Sequence, residues 1–231
     1  MGRGGFGRIL SLFSPRPATV ISGVGGLAPP NGSDGPVHIY PGDPVSLYEG
    51  AVALPGSSLL FVPDSPGSEH GRIEWQYTPP WPPGSQLTSD VLTITKNGRP
   101  VQTTHGFKNG QFYGTIEDVT AGDVIGFHHE TTAVDARGDS FVNVISGADV
   151  MPIRIPMPGD SDGGPGQWVK KNESMSDASR YYQEAVTHVQ KDWVYAVDGT
   201  MFDGFFRSAD GVNHFLEARA TTISGSIARA R

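Results

Sequence analysis

Between residues 37 and 155 the chain alternates short apolar runs with turns rich in glycine and proline, a pattern that indicates strands. In one run, Leu92 and Ile94 alternate with Thr93 and Thr95. Neighbouring side chains of a strand point to opposite faces, so this alternation predicts a half-buried strand. Six such runs with frequent turns predict an antiparallel β-sandwich, either immunoglobulin-like or jelly-roll. They lie at residues 58–62, 72–77, 91–95, 111–116, 123–128 and 141–145.

A tight turn is predicted where Asn97 and Gly98 separate two extended segments. A type I′ turn requires positive φ at both central residues, and asparagine followed by glycine satisfies this most easily. The dipeptide therefore predicts a β-hairpin.

The C-terminal part has a different pattern. Residues 176–187 are the best helix candidate, with Ser174 or Ser176 available as the N-cap. Extended runs follow at 193–197, 201–205 and 214–218. The predicted order is helix, strand, strand, strand.

Composition and charge divide the chain further. Residues 1–33 carry three arginines and no acidic residue, residues 34–162 carry 16 acidic against 6 basic side chains, and residues 163–231 carry 8 of each. Glycine and proline concentrate between residues 156 and 166, which marks a boundary. We predict a flexible N-terminal arm at 1–36, a β-sandwich domain at 37–155, a linker at 156–173 and a further segment at 174–231. No part has the clustered basic face typical of a nucleic-acid-binding protein.

Taken together, residues 182–183, 193, 198–205 and 215–219 resemble the opening of a restriction-endonuclease-fold toxin family within the PD-(D/E)xK superfamily. The resemblance covers about residues 176–220 and implies a small, partial α/β segment of that fold. In that family an aspartate on the second strand and a Glu-x-Lys on the third share a divalent metal.

The resemblance implies that Asp203 and Glu217 are Mg²⁺ ligands and catalytic residues, with Glu184 on the helix as a third carboxylate. Where the family has lysine this chain has Arg219, whose fork-shaped guanidinium binds phosphate but replaces a compact lysine poorly. The implied activity is Mg²⁺-dependent hydrolysis of nucleic-acid phosphodiesters.

Two functions from different classes follow. In the first, the protein is a bacterial effector or toxin whose sandwich is a docking module and whose C-terminal domain is a nuclease. Its partners are then nucleic acid and an immunity or carrier protein. In the second, it is a non-enzymatic structural component of a phage virion or secretion particle, with an inactive nuclease-like segment.

The N-terminal apolar run at residues 9–13 is far shorter than the roughly 20 residues that span a bilayer, and it lacks the features of a signal peptide. We therefore expect no membrane span, and either delivery by a specialised secretion apparatus or residence in a particle. In the second case the arm docks on a large assembly through its apolar side chains, namely Phe6, Ile9, Leu10, Leu12 and Phe13.

The absence of cysteine excludes disulfides and thiolate metal ligands. His128 and His129 are adjacent, with Glu130 beside them and His105 elsewhere in the chain. Neighbours in a strand point to opposite faces, so one ion does not easily bind both imidazoles. We expect one inward and one outward histidine, and no metal at this pair.

The segment at residues 75–83 is rich in aromatic residues and proline. Tyr77 and Trp81 would suit a stacking platform for a sugar or a polyproline ligand. Burial in the core is the expected alternative, because tryptophan is highly buried on average.

Overall fold

The computed structural model describes residues 35–49, 52–172 and 174–218, except for the side chains of residues 146–148. In this part the protein is mainly β, with one helix. The strands are β1 (Val37–Ile39), β2 (Tyr48–Glu49), β3 (Val52–Ala53), β4 (Ser58–Pro63), β5 (His70–Tyr77), β6 (Gln86–Lys96), β7 (Arg99–Pro100), β8 (Thr104–Lys108), β9 (Gln111–Thr120), β10 (Ile125–Val134), β11 (Ser140–Pro152), β12 (Gln167–Lys170), β13 (Trp193–Val197), β14 (Thr200–Phe202), β15 (Gly204–Arg207) and β16 (Asn213–Leu216), and the helix is α1 (Asp177–Thr187).

Two sheets make up the larger part of the fold. One has the order β3-β2-β11-β10-β6-β7, with β1 pairing parallel to β11, and the other has the order β4-β5-β9-β8. The remaining pairings in both sheets are antiparallel. One hydrophobic cluster takes side chains from both sheets, among them Leu59, Phe61 and Ile73 from the second and Ile94, Phe127 and Ile145 from the first.

The strand predictions are confirmed, since each of the six apolar runs lies in or overlaps one of the strands β4, β5, β6, β9, β10 and β11. The predicted hairpin turn joins β6 to β7, with φ of 52° at Asn97 and 74° at Gly98. Only Thr95 and Lys96 of β6 pair with β7. Among the described residues, 86–93 therefore form an edge of the first sheet.

The C-terminal part contains the sheet β12-β13-β14, the hairpin β15-β16 and helix α1. The predicted helix and its N-cap are confirmed, because the Ser176 hydroxyl accepts a hydrogen bond from the Ser179 backbone at 3.2 Å. A second hydrophobic cluster lies here, formed by Trp168, Val189, Trp193, Tyr195 and Phe205. The prediction of one strand over residues 201–205 is wrong, because the chain bends at Asp203 between β14 and β15.

Several contacts join this part to the larger sheets, among them those of His188 and Arg154. The His188 ring lies directly against Gly122, where an added Cβ would be 2.2 Å from Nδ1. The buried Arg154 guanidinium binds both carboxylate oxygens of Asp162, and its Nε donates to the Gly67 carbonyl. Asp162 also accepts from the Trp168 indole at 2.6 Å. The glycine-rich segment around Asp162 is thus held by Arg154, which precedes it in the chain, and by Trp168, which follows it.

The half-buried position of His188 predicts a loss of stability in acid. Burial lowers the pKa of His188, and nearby His38 acts in the same direction, while Asp123 and Glu69 oppose the shift. The unfolded chain therefore takes up a proton before the folded chain does, and stability present above the ordinary pKa of 6.5 is lost as the pH falls below it.

We expect the free energy of unfolding, measured by urea denaturation, to fall between about pH 7.5 and about pH 5.5. His188→Asn is the matched variant, because asparagine tolerates the left-handed conformation at this position, where φ is 59°. The pH-dependent loss should be smaller in the variant, and an identical loss in both proteins would contradict this assignment.

Most of the predicted N-terminal arm and all residues beyond 218 lie outside the described residues. No helix in the described ranges is long and apolar enough to cross a membrane.

Candidate metal centre

Three side chains from three strands converge at one side of the two larger sheets. The Asp90 carboxylate of β6 lies between two imidazoles, with Oδ1 2.6 Å from His129 Nε2 of β10 and Oδ2 3.3 Å from His105 Nε2 of β8. The three ligand atoms lie within 4.8 Å of one another. In the part of the chain that the structure describes, this is the group of three acidic or histidine side chains close enough to share one ion.

Strand register explains how the first two ligands meet. His129 lies opposite Leu92 and Thr131 lies opposite Asp90 in the antiparallel pair β6-β10. Residues directly opposite one another share a face, so Asp90 and His129 are diagonal neighbours on the same inward face.

The third ligand comes from the other sheet. His105 of β8, the outermost strand of the four-stranded sheet, pairs with Gly114 of β9. Asp90 lies in the part of β6 that forms the edge of the first sheet. The centre thus lies where the edges of the two sheets come together.

The three side chains differ in their access to solvent. The His129 side chain is fully buried, whereas those of Asp90 and His105 are 27% and 29% exposed. The ligand group is therefore anchored in the core at one end and open to water at the other.

The environment of His129 favours its neutral form. Burial lowers the pKa of His129, and its hydrogen bond with Asp90 opposes the shift. The rings of Trp75, Tyr77 and Phe112 pack edge-to-face against the imidazole at centroid distances of 5.7, 5.7 and 4.7 Å. A neutral imidazole is the form of histidine that binds metal ions.

Two hydroxyl groups lie behind His129. The Tyr77 hydroxyl is 2.8 Å from His129 Nδ1. Burial raises the pKa of Tyr77, and hydrogen bonding with the Thr131 side chain opposes the shift. Thr131 is itself completely buried, and within the described residues its Oγ1 forms no well-aligned hydrogen bond. Burying a hydroxyl without a hydrogen bond lowers the stability of the fold. Such a group in a native structure calls for an explanation, and here it lies near the candidate ligands.

The histidine prediction is confirmed in part. His129 points inward and is buried, while the adjacent His128 is half-buried on the opposite face of β10. The two imidazoles lie on opposite faces of the strand, and His129 meets two candidate ligands that sequence reasoning did not combine with it. Asp90 could have been recognised from the sequence. It lies two residues before Leu92 and four before Ile94, so in a strand it points to the same inward face as they do.

The aromatic segment packs into the core. Trp75 and Tyr77 are 2% and 0% exposed and belong to the shared hydrophobic cluster, while Trp81 is partly buried against it. The expectation of core packing is confirmed for both buried rings, and Tyr77 is not part of an exposed stacking platform.

Glu184, the carboxylate predicted on the helix, has other partners. Its Oε2 accepts hydrogen bonds from His38 Nδ1 at 3.0 Å and from the Tyr40 hydroxyl at 2.9 Å. Its Oε1 accepts from the Lys191 backbone at 2.8 Å. The side chain is 3% exposed and connects α1 to the strand β1.

Asp203 lies between β14 and β15, and Glu217 follows β16. Asp203 Oδ1 accepts from Gln183 Nε2 at 3.2 Å, and its Oδ2 accepts from the Ala218 backbone at 2.7 Å. The second hydrogen bond joins Asp203 to Ala218, the residue after Glu217. The Glu217 side chain is exposed. Arg219 lies outside the described residues.

These hydrogen bonds predict a structural contribution from Asp203. Asp203→Ala removes both acceptors, and we expect it to lower the free energy of unfolding by about 1–3 kcal/mol. Urea denaturation of the wild type and the variant checks this, and an unchanged free energy of unfolding would contradict it.

Comparison with protein-family models, with curated proteins and with solved structures found no match to this chain. The geometry of the centre is therefore what indicates a function for this protein.

Proposed function

We propose that this protein is a metal-binding β-sandwich protein that holds one divalent transition-metal ion through Asp90, His105 and His129. The observation that carries the proposal is the convergence of these three ligand atoms within 4.8 Å, with Asp90 in contact with both imidazoles. The two antiparallel sheets with a common hydrophobic cluster support a β-sandwich as the scaffold.

The ligand types favour a transition metal over Mg²⁺ or Ca²⁺. Imidazole suits zinc, copper, iron and nickel, whereas magnesium and calcium prefer oxygen ligands. Two ligand atoms at about 2.1 Å from a tetrahedral ion are about 3.4 Å apart. The Asp90–His105 separation of 3.3 Å already suits such an ion. The shorter Asp90–His129 contact must widen by about 0.8 Å, a small side-chain adjustment.

The number of protein ligands indicates a site with an exchangeable position. Structural zinc sites have four protein ligands, whereas sites with three leave a position for water or substrate. Here that position faces solvent, because Asp90 and His105 are the exposed members of the group. The arrangement suits a bound water whose pKa the ion lowers.

The ion would also join the two sheets. Asp90 and His105 belong to edge strands of different sheets and are 15 residues apart in the sequence. Coordination by both side chains would close this side of the sandwich, and binding to the folded state alone raises its stability by mass action.

Calorimetric titration of the chelator-treated chain with ZnCl₂ tests the proposal. We expect one Zn²⁺ per chain, and no competition from millimolar Mg²⁺. His105→Gln should weaken binding strongly, because it removes one of three ligands. An absence of zinc binding, or binding that is unchanged in His105→Gln, would contradict the proposal.

The Mg²⁺-dependent nuclease is a second candidate function. The hydrogen bond from the Ala218 backbone to Asp203 supports it, because this contact brings Asp203 next to the strand end that carries Glu217. Cleavage of plasmid DNA or RNA that requires Mg²⁺ and is lost in both Asp203→Asn and Glu217→Gln would support this function. Absence of cleavage by the wild-type chain and by Arg219→Lys would leave the structural role in a particle as the alternative.

A further inference from the structure

The hydrogen bonds around His129 define which ring nitrogen carries the proton. An ionised carboxylate is only an acceptor, so the 2.6 Å contact with Asp90 Oδ1 places the proton on Nε2. A neutral imidazole then has an acceptor at Nδ1, which receives the Tyr77 hydroxyl proton across 2.8 Å. This arrangement suits the metal-free protein.

Metal binding requires the opposite tautomer. Nε2 is the nitrogen that faces Asp90 and His105, and it can bind an ion only through a free lone pair. The ring stays neutral if its proton moves to Nδ1. The Tyr77 oxygen must then accept that N–H, and the Tyr77 hydroxyl proton must find another acceptor.

Thr131 supplies that acceptor. Its Oγ1 is buried close enough to Tyr77 for hydrogen bonding with it to lower the pKa of that hydroxyl, but among the described residues Oγ1 forms no well-aligned hydrogen bond in the present arrangement. Thr131 lies on the inward face of β10, two residues after His129 and opposite Asp90. The unsatisfied hydroxyl is thus next to the group that loses its acceptor when the tautomer changes.

We propose that Tyr77 and Thr131 are positioning residues of the metal centre. When the ion binds, the His129 proton moves from Nε2 to Nδ1 and is donated to the Tyr77 oxygen, while the Tyr77 hydroxyl turns and donates to Thr131 Oγ1. No proton is gained or lost by the ring. This inference rests on the proposed metal centre and extends it to two residues that do not touch the ion.

The relay makes Thr131 important for metal affinity. Thr131→Val keeps the shape of the side chain and removes the acceptor, so the Tyr77 hydroxyl has no partner in the metal-bound form. Mutation of the residues that hydrogen-bond to ligating histidines typically lowers metal affinity by about 10–100-fold. We expect a loss in that range for Thr131→Val and Tyr77→Phe. Thr131→Ser retains the hydroxyl and should keep most of the affinity.

Nitrogen NMR of the full chain with ¹⁵N-labelled histidine tests the relay, because the shifts of Nδ1 and Nε2 report the tautomer. We expect the Nε2–H form of His129 without metal and the Nδ1–H form after addition of ZnCl₂. In parallel, competition with a zinc chelator gives the affinities of the wild type and of the Thr131→Val, Thr131→Ser and Tyr77→Phe variants.

The outcomes separate the two proposals. No zinc binding by the wild type would overturn the metal centre and the relay together. Zinc binding with the Nε2–H form retained, or with equal affinity in Thr131→Val and Thr131→Ser, would overturn the relay and leave the centre intact. A tautomer change with a loss of affinity in Thr131→Val that Thr131→Ser restores is the predicted result.

Discussion

Asp90→Asn should abolish the stabilisation that zinc gives to this protein. At a free zinc concentration 100 times the Kd, one site raises the free energy of unfolding by about 2.7 kcal/mol. For a chain of this size that corresponds to an increase in Tm of about 5–10 °C. Asparagine removes the negative charge that lies between the two imidazoles, so the remaining ligands bind the ion weakly. Thermal unfolding with and without ZnCl₂, followed by circular dichroism, measures the difference.

His128→Gln is the control for this experiment. It removes an imidazole adjacent to His129 but on the opposite face of β10, so the zinc-dependent increase in Tm should persist. An increase that survives in Asp90→Asn, or disappears in His128→Gln, would show that zinc binds elsewhere.

Gly114→Ala should weaken both the fold and the metal centre. Gly114 pairs with His105, and an added Cβ would lie 2.5 Å from the Trp75 ring and 2.6 Å from the Thr104 carbonyl oxygen. Neither atom is at the free end of a flexible side chain, so the ring or the strand must shift. Overpacking of this kind costs about 1–3 kcal/mol. A shift of Thr104 also moves His105, and we expect zinc affinity to fall by at least about tenfold, a loss of about 1.4 kcal/mol in binding.

Gly106→Ala provides the comparison in the same strand pair. Its Cβ would be 2.8 Å from the hydroxyl of Tyr113, a side chain that is 46% exposed and can turn toward solvent. We expect smaller losses of stability and zinc affinity than in Gly114→Ala, measured by urea denaturation and zinc titration. Equal losses in the two variants would mean that the close packing at Gly114 is not what positions His105.

The strands could be predicted from the sequence because the features that indicate a strand or a turn involve residues close together in the chain. The alternation around Leu92 and Ile94 identified β6, and Asn97 with Gly98 identified the turn after it. The helix was predicted with Ser174 or Ser176 as its N-cap, and Ser176 is the N-cap in the structure. In each case the physical cause lies within a few residues, and side-chain parity or positive φ can be inferred without knowledge of the fold.

The candidate centre was not predicted because it depends on pairing between distant strands. Asp90 is 39 residues from His129 and meets it only through the register of β6 with β10. His105 joins them from the other sheet. The break at Asp203 has a similar origin, since its carboxylate is bound by Ala218, 15 residues later. Sequence reasoning placed one of the two adjacent histidines inward without saying which, and it gave no information on which side chains would face it.

The most direct test is a crystal structure of the zinc-loaded chain with anomalous data collected at the zinc absorption edge. We predict one strong anomalous peak about 2.0–2.2 Å from His105 Nε2, His129 Nε2 and an oxygen of Asp90. A peak at another group of residues, or no peak at the junction of β6, β8 and β10 in a zinc-loaded crystal, would contradict the account.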